Sequence, residues 1–127
     1  MKLFFSFLTS LFLSTSVFAD QGISDTEILV GMHTDISGPA SMIGKQSVDG
    51  ANMRFEEFNK KGGAYGRTIK FIVEDHQYTV PRAVQASNKL LRKDKIAFML
   101  GSLGTPMNNA VMTDQLSMNV PNLFPLT

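Results

Sequence analysis

Ile96-Ala97-Phe98-Met99-Leu100 runs apolar without a break and passes directly into Gly101-Ser102-Leu103-Gly104-Thr105-Pro106. A strand bare of polar residues is covered on both faces, as strands of parallel sheets are. The small residues that follow make a loop. Pro106 then opens a helix, where its missing N–H loses nothing, and that helix extends to about Met118.

The same unit recurs on either side. Upstream, Thr68-Ile69-Lys70-Phe71-Ile72-Val73 is β-branched and aromatic and reads as a strand closing on Glu74-Asp75. Thr79 and Val80-Pro81 start a helix to about Lys93, with Val84, Ser87, Leu90 and Leu91 on its inner side. Further upstream, Glu27-Ile28-Leu29-Val30-Gly31-Met32 is a short apolar run without helical spacing, a buried strand, followed by turn chemistry at Asp35-Ile36-Ser37-Gly38-Pro39. From about Lys45 to Lys61, Val48, Ala51, Phe55 and Phe58 recur at helical spacing, with Asp49, Glu56, Glu57, Lys60 and Lys61 largely on other faces. Gly62-Gly63 ends that helix. Downstream, Val120 to Thr127 centres on a short fourth strand at Leu123-Phe124 between Pro121 and Pro125. The order β-α-β-α-β-α-β specifies an α/β fold, a parallel doubly wound sheet with helices on both faces. Such a sheet continues with a helix over the strand just laid down, so the end at Thr127 reads as a truncation.

Composition narrows the function. With 127 residues the chain allows one domain at most, and 43% hydrophobic against 18% charged residues is ordinary for a globular protein. A net charge of +1 gives no reason to expect a nucleic-acid partner. The absence of cysteine excludes disulfides, iron–sulfur clusters, thiolate zinc sites and cysteine nucleophiles. The amino end has its own pattern: Lys2, the largely apolar run Leu3 to Leu13, then Val17-Phe18-Ala19 with small residues where signal peptidase reads them. This predicts a cleavable export signal over residues 1–19, cut after Ala19. The run is shorter than the ~18–20 apolar residues that span a bilayer, so no stable membrane insertion is expected after its removal.

Ligands of open α/β sheets bind beyond the carboxyl ends of the strands, where strand order reverses. That rule selects His33 to Ser41, His76 to Val80, Gly101 to Thr105, and Leu126-Thr127. Ser37, Gly38, Ser41, Gly44, Ser102, Gly104, Thr105 and Thr127 supply small and hydroxyl groups there, suited to close backbone approach and to an anion at a helix start. The same residue types serve as plain turn and cap chemistry. Enzyme signals are weak. Gly62-Gly63-Ala64-Tyr65-Gly66 follows a helix, not a strand, and so is no dinucleotide fingerprint; Gly101 to Thr105 lacks the lysine of a P-loop. His33 with Asp35 and His76 beside Asp75 read as structural or solvent-exposed, not as a metal site or proton relay. No catalytic residue, metal or cofactor is expected.

Specific strings carry a resemblance. Ile28-Leu29-Val30-Gly31 leads to Ser37-Gly38-Pro39-Ala40 and Gly44, then Gly50-Ala51, Phe58-Asn59-Lys60-Lys61-Gly62-Gly63 and Gly66. Glu74-Asp75, Pro81-Arg82-Ala83-Val84, Gly101 to Pro106 and Val120-Pro121 follow in order. Together they resemble the leucine/isoleucine/valine-binding protein family, the solute receptors of branched-chain amino-acid ABC transporters. The resemblance implies a type I periplasmic-binding-protein lobe, with residues 20–127 as part of the N-terminal lobe of a two-lobe receptor. It also implies a periplasmic location, an amino acid or similar small solute as ligand, and an inner-membrane ABC permease as partner. Carried over, the ligand's carboxylate and ammonium groups fall near Gly104 and Thr105 and at Leu126 and Thr127, while Ser37 to Ser41 lines the side-chain end. Where the best-known members carry a run of serines after the third strand, this chain has Gly104-Thr105-Pro106, which leaves the carboxylate contact and the ligand's identity open. The alternatives are a ligand-sensing receptor domain and an inactive fragment of an interrupted gene.

Overall fold

A computed structural model of the chain describes residues 21–127. The expected export signal and its cleavage after Ala19 lie outside the described residues.

The strands are β1 (Glu27–Thr34), β2 (Thr68–Asp75), β3 (Phe98–Leu100) and β4 (Asn122–Leu123). The helices are α1 (Ser41–Lys60), α2 (Val80–Asn88) and α3 (Thr105–Ser117). All pairings are parallel, in the order β2-β1-β3-β4. The β1–β2 register runs unbroken from Glu27↔Thr68 to Thr34↔Asp75. The step from β1 to β2 goes one way along the sheet, and the step from β2 to β3 goes back past β1. Right-handed crossovers therefore put α1 on one face and α2 with α3 on the other, in keeping with α1 packing on β2 and α2 on α3. This is the parallel doubly wound α/β sheet expected from the sequence.

The two faces are packed differently. Leu90, Leu91, Ile96, Met99 and Val120 form one closed cluster on the α2/α3 face, with Leu29, Ile72 and Met118 packed against it. Beyond Asn88, helix α2 widens into a single π turn, Lys89–Lys93, closed by the Asp94 N–H on the Lys89 carbonyl at 2.9 Å. Such a turn takes in one extra residue without ending the helix, and Leu90 and Leu91 within it are both fully buried. On the α1 face Val30 and Met32 are buried, and Phe55 meets Phe71 edge-on at 5.2 Å. Val48, Ala51, Phe55 and Phe58 of α1 are only half-buried, so this helix covers its side of the sheet incompletely.

Several boundaries move from their sequence-based positions. Helix α1 begins at Ser41, not Lys45, which places Ser41 in its first turn. Val84 is exposed, and Ala83 and Ala86 take the inner positions of α2, because smaller residues let the helix approach the sheet. Ile96 and Ala97 precede β3 but remain tied to the sheet, the Ala97 N–H donating to the Leu29 carbonyl at 2.8 Å. Phe124 lies outside β4: its φ of 51° turns the chain away and leaves it 78% exposed.

Candidate functional site

Strand order reverses between β1 and β3, so the crevice of the fold opens at the carboxyl ends of those two strands. Three loops meet there.

The loop after β1 is organised by two carboxylates. Asp35 is buried, and its Oδ1 and Oδ2 accept the N–H groups of Gly38 at 2.5 Å and Ala40 at 2.7 Å. Asp75, at the end of β2, accepts from the Ile36 N–H at 2.9 Å, the Gln77 N–H at 3.0 Å and the Ser37 hydroxyl at 2.5 Å. Burial works against the Asp75 charge, but the donors at Ile36, Ser37 and Gln77 outweigh it and hold the carboxyl below its ordinary range. Helix α1 then starts so close to this loop that a Cβ on Gly44 would lie 1.8 Å from the Asp35 carbonyl oxygen, which no side chain permits.

The loop after β2 is held by His76. Its own N–H donates to the Thr34 carbonyl at 2.8 Å, and its ring touches backbone on both sides: Nδ1 lies 3.0 Å from the Tyr78 nitrogen and Nε2 3.0 Å from the Leu103 oxygen. Gln77 and Tyr78 both sit at positive φ, 50° and 54°. His33 lies alongside, its ring centroid 5.5 Å from that of His76, and neither of its ring nitrogens has a hydrogen-bond partner among the described residues. Burial, with some repulsion from His76, lowers the His33 pKa to about 3. Burial also lowers that of His76, against the pull of the Leu103 carbonyl and the Asp35 and Asp75 charges. Both imidazoles are neutral at pH 7.

The loop after β3 is built from backbone. Leu103 N–H donates to the His33 carbonyl at 3.2 Å, and Gly104 N–H to Leu126 at 2.8 Å, while Leu126 N–H donates to Ser102 at 2.9 Å. The buried Asn108 amide donates to the Ser102 and Gly104 carbonyls at 2.8 and 3.0 Å, and its Oδ1 accepts from Asn122 at 3.0 Å. Gly104, at φ 98°, opens helix α3 from a conformation that other residues avoid. Immediately after it, the Thr105 N–H and hydroxyl have no partner among the described residues, and Thr105 is exposed.

The residues singled out from sequence therefore divide. Gly104, Thr105, Leu126 and Thr127 come together at the end of β3, joined by the Gly104–Leu126 bond. Within that group the N–H groups of Gly104 and Leu126 are engaged in the ladder, while the donors of Thr105 and of the exposed Thr127 have no hydrogen-bond partner among the described residues. Ser37 and Ser41 lie on the β1 side; the Ser37 hydroxyl is committed to Asp75, and the Ser41 N–H to the Gly38 carbonyl at 3.2 Å. Sequence reasoning placed Asp35 and Tyr78 within the crevice segments without giving either a role, and left out Asn108. An acidic residue two positions before Ser-Gly-Pro and an Asn in the first turn of a helix were the available signals. Tyr78 carried none beyond its place in the loop. A cavity of about 590 Å³ lies elsewhere, at the amino ends of the strands beside Gln21, Leu29 and Lys95. It shares no residue with the crevice.

Comparison with known proteins gives this arrangement its context. A family model described as "Periplasmic binding protein" matches residues 27–125. The Leu/Ile/Val-binding protein BraC3 of Rhizobium johnstonii is 30% identical over 94 residues, covering 74% of this chain and 25% of the relative. A fatty acid ABC transporter substrate-binding protein from Thermomonospora curvata superposes with a TM-score of 0.71 at 31% identity, over 80% of this chain and 26% of that one. The branched-chain amino acid transporter substrate-binding protein LivJ of Streptococcus pneumoniae, in complex with isoleucine, shares the fold with a TM-score of 0.75 at 21% identity, over 80% and 30%. The chain spans about a quarter of the length of the curated relatives it matches. With the parallel sheet, its switch-point crevice and a match across nearly all the described residues, the chain belongs to the periplasmic binding protein family.

Proposed function

We propose that this chain forms one wall of the ligand site in the extracytoplasmic solute-binding component of an ABC transporter for amino acids, branched-chain or related small solutes. The observation that carries the reading is the free Thr105 N–H and hydroxyl at the start of α3, at the β1/β3 reversal of a family member's sheet. Helix N-termini favour carboxylates through their unpaired N–H groups and dipole, and a hydroxyl beside them adds a further donor. In this reading residues 20–127 belong to the N-terminal lobe, exported to the periplasm by the signal over residues 1–19. Thr105 and Gly104 take the carboxylate end of the solute, Leu126 and Thr127 flank it, and the Ser37–Ser41 loop borders the side-chain end. An inner-membrane permease is the partner. No bond is made or broken in the solute; capture and presentation are the activity.

One wall binds weakly. If closure by an opposite wall contributes about 3–4 kcal/mol, its loss weakens binding by two to three powers of ten. The test is accordingly an amide chemical-shift titration of the chain with millimolar L-leucine, L-isoleucine and hexanoate. Shifts confined to Gly104, Thr105, Tyr78 and the Ser37–Ser41 loop are expected. Binding by sugars or nucleotides alone would sink the reading, as would shifts clustered at the opposite end of the strands.

A further inference from the structure

The His76 side chain joins two loops of the crevice, using both of its ring nitrogens. Nδ1 lies 3.0 Å from the Tyr78 backbone N–H, a group that can only donate, so Nδ1 carries a lone pair. The ring proton is then on Nε2, where the Leu103 carbonyl, which can only accept, stands 3.0 Å away. The two partners thus select one tautomer between them. The rest of the loop closes on the same residue, the Thr79 N–H and hydroxyl both donating to the His76 carbonyl at 3.0 and 3.2 Å.

This matters because Tyr78 needs holding. It sits at φ 54° directly after Gln77 at φ 50°, two consecutive left-handed residues without glycine. Tyr78 is 41% exposed and its ring edge borders Gly104: a Cβ added to that glycine would come within 3.3 Å of it. An aromatic edge therefore stands beside Gly104, the residue that precedes the unpaired donors of Thr105. Around the His76 imidazole are the neutral His33 ring of β1, the Asp35 and Asp75 carboxylates, the Tyr78 ring and the Leu103 carbonyl.

We propose that His76 is a positioning residue of the ligand crevice, whose neutral Nε2–H form latches the Tyr78 wall to the Leu103–Thr105 loop and whose protonation releases Tyr78. The two bonds respond in opposite ways to acid. A proton on Nδ1 sets two N–H groups against each other and breaks the bond to Tyr78, while the Nε2–H bond to Leu103 survives. Tyr78 then leaves its left-handed conformation and the site loses its aromatic side. The latch rests on the reading of the crevice as the ligand site, but its geometry can be measured without ligand.

The experiment uses the 15N-labelled full chain. Long-range proton–nitrogen correlations of the His76 ring report the tautomer, and backbone amides are followed from about pH 8 down to about pH 4, across the usual histidine range. The expected result is the Nε2–H tautomer at neutral pH. As His76 charges, the Tyr78 amide shifts and exchanges about tenfold faster, as loss of one hydrogen bond implies, while α2 and α3 amides stay in place. In His76→Gln, whose amide offers both a donor and an acceptor, the Tyr78 amide becomes insensitive to pH over that range; in His76→Phe it is unprotected throughout. The Tyr78 shift induced by L-leucine fades with the His76 midpoint in the wild type and not in H76Q. An Nδ1–H tautomer, a Tyr78 amide unmoved through the midpoint, or the whole chain unfolding at that midpoint would each overturn the latch. If the tautomer and pH results hold while L-leucine shifts nothing, the latch stands and the amino-acid reading falls.

Discussion

The loops after β1 and β3 reach the same crevice by opposite means. The first is organised by side chains: Asp35 and Asp75 collect four backbone N–H groups and the Ser37 hydroxyl between them. The second is organised by backbone, with Leu103, Gly104 and Leu126 extending the ladder beyond the last strand residues and Asn108 bracing it from α3. The difference decides which groups remain for a ligand. In the loop held by side chains the Ser37 hydroxyl is committed to Asp75, while that of Ser41, at the start of α1, has no partner among the described residues. A loop held by backbone leaves its hydroxyl free, as Thr105 is. Residue type alone does not mark a binding group; what else the residue is bonded to does.

The largest expected effect that would break this contrast is Asp35→Ala. Removing a buried carboxylate that caps two N–H groups should lower stability by about 3 kcal/mol in a denaturant titration. Amide exchange should open at Gly38 and Ala40 while Gly104 keeps its protection; equal loss in both loops would show that they are not independently held. Gly104→Ala comes next. Its φ of 98° and a methyl 2.3 Å from the Met107 terminal carbon predict a loss of about 2 kcal/mol, with exchange opening on the β3 side instead.

A third test uses acid. The folded pKa of His33 is about 3, below the ordinary 6.5, so the native state binds fewer protons than the unfolded chain between those values. Its contribution to stability is therefore complete above about pH 6.5 and declines as pH falls toward 3, by at most about 1.4 kcal/mol per unit. His33→Leu should flatten that part of the curve; an unchanged slope would assign it to the carboxylates. Smallest is Ser37→Ala. The hydroxyl is exposed and Asp75 keeps its two backbone donors, so a loss under about 1 kcal/mol is expected. A much larger loss would mean that the Ser37 bond, not the carboxylates, sets the loop.

Much of this was legible in the sequence. Strand–helix alternation located every strand and helix, and Pro81 and Pro106 marked two helix starts to within a residue. Glycines and hydroxyls at strand ends pointed to the three loops. The misses share a cause. Val84 was read as inward because its type and spacing fit, but Ala83 and Ala86 are what face the sheet, since close approach selects small residues over apolar ones. For His33 and His76 the sequence left structural and solvent-exposed positions both open; both are buried, and no local pattern distinguishes a histidine with two backbone partners from one with none. The π turn at Lys89–Lys93 leaves no mark in a periodicity broken by only one residue.

The sequence by itself determined the class of the fold, because hydrophobic period and turn residues are local properties of a chain, and alternating strands and helices have few ways to close a core. It also identified the family, through strings that recur in order. Which hydroxyl is free, which glycine must be a glycine and which histidine joins two loops were decided only in the tertiary structure. Ser37 depends on Asp75 and His76 on Leu103, both far along the chain, while Gly44 depends on how the preceding loop folds Asp35 back onto it and Gly104 on its own φ and on Met107. A hydrogen bond or a steric contact exists only once folding has brought both members together, and neither member alone carries a sign of the other.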